Sequence, residues 1–187
     1  MNTTLNQIRE KSPCTDGWEK LLKSLNKTEA DDEPLSLITV LDSNGLDDAV
    51  WCLESVKGQD RQIILYSVWC ARQVQHLMMD KRSLDALDVA ERYANGLANK
   101  KELAAAMDAA RAAGWDAARD DKSSAAWFAT WAAESSATSV VTGFAAMSAA
   151  RAATDLAGKS VWPEAKVAAM YSQEVKFREM FCGAMKS

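Results

Sequence analysis

Side chains that make and break bonds are scarce in this chain. Histidine occurs once, at His76, in 187 residues. The cysteines Cys14, Cys52, Cys70 and Cys182 form no CxxC pair. A histidine–cysteine metal site needs several such ligands at helical or hairpin spacing, so no metal is expected. Cys70 and His76 fall on different faces of one predicted helix. A Cys–His nucleophilic pair would need Cys14, Cys52 or Cys182 to fold back beside His76. Phosphate-cradling GxGxxG and GxxxxGK[ST] loops are missing, as is the GxSxG nucleophile elbow. The absence of an Asp-x-Asp-x-Asp-Gly run excludes an EF-hand. No catalytic residue and no cofactor is predicted.

Other absences bound the fold and the compartment. Proline occurs only at Pro13, Pro34 and Pro163, each where a helix should begin or end. Interior proline breaks the helical hydrogen-bond ladder, so this placement is that of a helical protein. Glycines are few, 8 in all, and the placeable ones read as caps. The longest apolar run, Ile63 to Ala71, is too short to span a bilayer. The polar start, Met1 to Gln7, has no basic stretch followed by an apolar core. A cytoplasmic protein with reduced thiols is therefore expected. Positive charge is not in excess: the net charge is −4. That points mildly away from nucleic acid, while leaving an acidic protein able to meet a basic protein surface or to compete with DNA for one.

What is present is helical periodicity. A short helix is predicted near Thr4 to Lys11. Asp16 with Glu19 gives a capping-box spacing for a second helix ending near Asn26. Pro34 fits the first turn of a helix ending at Asn44-Gly45. Leu37 to Leu41 has strand propensity, but its punctuation favours helix. Leu46, Ala49, Val50 and Leu53 form an amphipathic stripe closed by Lys57-Gly58. Asp60 caps the most apolar helix, expected from Arg61 to Met79, whose all-round hydrophobicity marks it as central. Ser83 is read as the next cap, with Leu87, Ala90, Ala94 and Leu97 as the buried face. Asn95-Gly96 is a break, and Asn99 with Glu102 a further capping-box start.

From there alanine dominates, with 22 in the 54 positions 104–157. Alanine is the best intrinsic helix former, and small residues let helices approach closely. Leu103, Met107, Ala110, Gly114 and Ala117 share one face. Two or three packed helices are expected, broken near Asp120-Asp121 and between Ser135 and Gly143. Trp162-Pro163 opens a last helix to about Cys182. The fold class is therefore all-α: one domain over residues 1–187, a bundle of about eight helices by their start and stop signals. Residues 1–97 hold the N-terminal helices; residues 98–187 hold the close-packed Ala-rich helices and the C-terminal helix.

Two polar groupings stand out. Asp31, Asp32 and Glu33, with Asp47 and Asp48, lie near predicted helix starts, where carboxylates complement the dipole. They flank one short helix, so they are also candidates for an acidic partner-binding patch. Arg72, Gln73 and His76 form a polar strip on the central helix, with Arg82, Asp85 and Arg92 just beyond. This is either a salt-bridge network or a polar cleft built on Arg72, His76 and Arg92. The seven tryptophans read mainly as core, though one or two exposed ones would suit an interface.

The segments Leu46-Asp47-Asp48-Ala49-Val50-Trp51-Cys52-Leu53 and Ser67 to Asp80, continuing through Arg82-Ser83 and Leu87 to Gly96, carry a resemblance. Together they resemble a helical immunity protein family linked to polymorphic toxin systems and also carried by phages. Its members pass similarly from this motif into an Ala-rich helical tract, and the likeness covers roughly residues 46–157. The resemblance implies stoichiometric binding of a bacterial protein, a toxin or a defence effector. The expected function is a non-enzymatic inhibitor, in its sharpest version a phage anti-defence (anti-CRISPR-like) protein. Kept beside it are a strict toxin-immunity protein, an enzyme with an unfamiliar helical site around Arg72, His76 and Arg92, and a homodimer or larger assembly formed by the Ala-rich helices. No membrane and no direct nucleic-acid partner is expected.

Overall fold

The computed structural model describes residues 1–119 and 162–182. The expected helix breaks near Asp120-Asp121 and between Ser135 and Gly143 lie outside the described residues. Among those described, eight α-helices, two 3₁₀ turns and one two-stranded ladder make up the regular structure, so the all-α class holds. The ladder pairs β1 (Asn2–Thr3) with β2 (Leu35–Ser36) in antiparallel register, Asn2 opposite Ser36. Contacts divide the chain into two compact units: Met1–Gln59 with Glu174–Ser187, and Asp60–Gln173.

The first unit is built from short helices: α1 (Leu5–Arg9), α2 (Thr15–Ser24), α3 (Leu37–Asn44) and α4 (Leu46–Trp51). A 3₁₀ turn at Cys52–Ser55 follows α4. Thr4 caps α1 by accepting from the Gln7 amide, and Ser36 caps α3 by accepting from Ile38. Pro34 therefore precedes β2 and does not open α3. The chain first pairs with β1 and enters the helix only at Leu37. The α2 cap also differs from expectation. Cys14 occupies that position without a side-chain bond, and Asp16 sits in the first turn. Leu5, Ile8, Leu21, Leu37, Val40 and Leu53 are almost wholly buried. Thr3 and Ser55, both buried, share a 2.7 Å hydroxyl–hydroxyl hydrogen bond.

The second unit has longer helices: α5 (Asp60–Arg72), α6 (Lys81–Ala94) and α7 (Lys100–Arg119). In α5, Ile63, Ile64, Tyr66, Ser67, Val68, Cys70 and Ala71 are all buried. That is the all-round burial its sequence calls for. The helix stops at Arg72, however, well short of Met79. Val74 leaves helical geometry at φ −118°, and Gln75–Leu77 form a separate 3₁₀ turn. The early stop lets the chain reverse so that α6 packs back on α5. The α6 cap is Asp80, which accepts from the Arg82 amide; Ser83 lies inside the first turn with its side chain buried. Gly96, at φ 73°, closes α6. Leu97 is thereby thrown off the buried stripe and is 69% exposed.

The capping box at α7 forms as expected. Asn99 Oδ1 accepts from the Glu102 amide at 3.0 Å, and Glu102 Oε2 accepts from the Asn99 amide at 2.8 Å. Both partners satisfy amides that the helix start leaves unpaired. Ile64, Val68, Ala90, Ala94 and Leu103 form one apolar cluster, with Leu65, Val89, Tyr93 and Met107 packed on it. The helices on the two sides of residue 97, α6 and α7, pack together.

The last helix, α8 (Trp162–Phe181), matches its predicted extent closely. Among the described residues, no helix is long and apolar enough to cross a membrane.

Candidate functional site

The acidic residues of the first unit are held by α2 and its neighbours. Asn26, at φ 53°, ends α2, and the Lys27 amide donates back to the Leu22 carbonyl. This closure of the helix end fixes the root of the Lys27 side chain. Its ammonium then donates to Asp31 Oδ2 and, at 2.6 Å, to Glu33 Oε2. Asp31 Oδ1 accepts from the Glu33 amide, and its carbonyl accepts from the Asn6 amide of α1. The hydrogen bond from Lys27 holds the Asp31 carboxyl below its ordinary range and raises the Lys27 ammonium. Asp32, between these anchored residues, is exposed.

Asp47 and Asp48 occupy the first turn of α4. Gly45 at φ 99° joins α3 to α4 and supplies a backbone geometry that other residues rarely adopt. Asp48 Oδ2 accepts from Asn44 Nδ2 at 2.7 Å, and the same amide nitrogen donates to the Gly17 carbonyl at 2.8 Å. A Cβ at Gly17 would stand 2.9 Å from that Asp48 oxygen and 3.1 Å from Cys14 Sγ. Glycine is therefore what lets the Asp48 carboxylate approach the first turn of α2, where the positive end of the helix dipole favours it. Asp47 is exposed.

The two acidic groups do not converge. One lies beyond the C-terminal end of α2 and the other at its N-terminal turn, separated by a helix about 15 Å long. The structure also divides their labour. Asp31 and Asp48 are spent on internal hydrogen bonds, while Asp32 and Asp47 face outwards.

The second unit treats the other polar grouping differently. Arg72, at the end of α5, donates to Asp88 at 2.9 Å and Glu91 at 2.5 Å on α6, and to Gln75 at 3.2 Å. It fastens the α5–α6 reversal. Arg92 points to the other end of α6, donating to the Leu97 carbonyl and lying 3.9 Å from Glu102. His76 sits exposed in the 3₁₀ turn. The expected strip of Arg72, Gln73 and His76 on one helix is thus replaced by a helix end and a turn. Arg82, tied to Asp80 and Asp116 at 2.7 Å each, bridges α6 to α7.

The thiols split into two kinds. Cys14 and Cys182 are exposed, Cys52 and Cys70 buried, and all four are free. Burial pushes the Cys52 and Cys70 thiols up to about 12. A nucleophilic cysteine needs the opposite shift. Among the described residues, no group of three or more His, Cys, Asp or Glu is arranged to hold a metal.

One surface escaped the sequence reading. On α8, Val167 and Tyr171 are 67% and 69% exposed, and Val175 follows at the same four-residue interval. Gln173, Phe177 and Phe181 are buried on the opposite face. Both rows repeat every four residues, so the sequence carried the signal. The two rows lie on opposite faces of the helix, one exposed and one buried. Compared with family models, curated proteins and solved structures, the chain gives no match.

Proposed function

We propose that this chain is a non-enzymatic, protein-binding inhibitor that occludes a basic surface of a bacterial protein. Its sharpest form is a phage or prophage anti-defence protein. The observation that carries the reading is the uneven distribution of charge. Residues 1–59 hold 11 acidic and 6 basic side chains, a net of −5, while residues 60–187 hold 15 acidic and 16 basic, a net of +1. The acidity of the molecule is thus concentrated in the stretch that carries Asp32 and Asp47. A net excess of one charge sign steers encounter with a complementary partner and sets specificity. The resemblance of residues 46–157 to helical immunity proteins agrees with stoichiometric binding, and a toxin partner would use the same chemistry. An enzymatic reading through Arg72, His76 and Arg92 has less support, because both guanidiniums are engaged within the fold.

The test uses Asp32→Lys with Asp47→Lys, since neither residue carries one of the internal bonds described above. Affinity capture from bacterial lysate, read by mass spectrometry, should lose the partner that the unaltered chain retains. Far-ultraviolet circular dichroism should be unchanged. Equal recovery of that partner by both proteins would remove the acidic surface from the mechanism. Turnover of any small molecule by the purified chain would overturn the non-enzymatic reading.

A further inference from the structure

We draw no further inference here: the strongest candidate, the exposed Val167, Tyr171 and Val175 stripe on the face of α8 opposite Phe177 and Phe181, is an apolar surface and nothing in the structure shows what covers it.

Discussion

The two units reach helical structure by different routes. In the first, the helices α1 to α4 have 5, 10, 8 and 6 residues. Isolated helices this short are marginal in water, because nucleation costs more than so few hydrogen bonds return. Side-chain caps at Thr4 and Ser36, a two-residue ladder and a dense set of buried leucines hold them instead. In the second, α5, α6 and α7 have 13, 14 and 20 residues and pack through alternating small and large side chains. The first unit is thus held by tertiary contacts from the outset, whereas the second starts from stronger local propensity. The unit with the weaker local structure is also the one that carries the acidic excess.

The largest effects that separate these routes come from core truncation. Leu37 and Leu87 are both fully buried, one in each unit. Leu37→Ala and Leu87→Ala should each cost about 2–5 kcal/mol, measured by urea unfolding followed by circular dichroism. Leu37→Ala should cost at least as much as Leu87→Ala. A clearly smaller cost would show that packing is not what holds the short helices.

Alkaline pH probes the same contrast through one buried thiol in each unit. An unfolded cysteine ionises near about 8.5, whereas Cys52 and Cys70 are held up to about 12. The folded state keeps these protons longer, so their stabilisation is full below the unfolded value and declines as pH rises towards the folded one. At about pH 11 the loss should approach about 3 kcal/mol per thiol. Cys70→Ala should flatten the decline between about pH 9 and 11 in urea titrations. A parallel decline in both proteins would discard this account.

Caps come next. Asn99→Ala removes an acceptor used by the Lys101 and Glu102 amides, and Ser36→Ala removes the one used by Ile38. Each should cost about 1 kcal/mol. Thermal melts should show the two losses to be similar, because each cap satisfies amides locally whatever the helix length. The smallest effects belong to exposed ion pairs. Arg178 joins Asp42 and Glu174 in the first unit, and Arg82 joins Asp80 and Asp116 in the second. Replacing either by Ala should cost no more than about 1 kcal/mol. The difference should shrink in concentrated salt, which screens exposed charges.

Much of the helical architecture was legible in the sequence because its signals are local. The Asn99–Glu102 box, the Asn95-Gly96 break and the Trp162-Pro163 start each act within one turn of themselves. What was misread depends on distant partners. Nothing between Arg72 and Asp80 is a glycine or proline, so the sequence offers no stop there. Where the helix stops, Arg72 pairs with Asp88 and Glu91 of the next helix, partners that its own neighbourhood in the sequence does not reveal. The pairing of Leu35-Ser36 with Asn2-Thr3 is likewise invisible locally, since two residues of strand carry no periodicity. Ser83 and Asp80 are both good cap residues, and only the inward burial of Ser83 decides between them.

The acidic candidates were legible as residue types but not as roles. Whether Asp31 or Asp32 meets solvent depends on where Lys27 reaches, and Asp48 is taken by Asn44 through the close approach of α2. On α8 two rows repeat every four residues, and nothing local in the sequence marks which of them is buried.

The disposition of the thiols makes the molecule its own unfolding clock. Two sulfurs are open to an alkylating reagent in the native state, and two become reactive only when structure opens. Because Cys52 belongs to one unit and Cys70 to the other, brief exposure to a thiol-specific label, followed by peptide mass spectrometry, would time the opening of each unit separately. That single experiment would tell whether the short-helix half yields first.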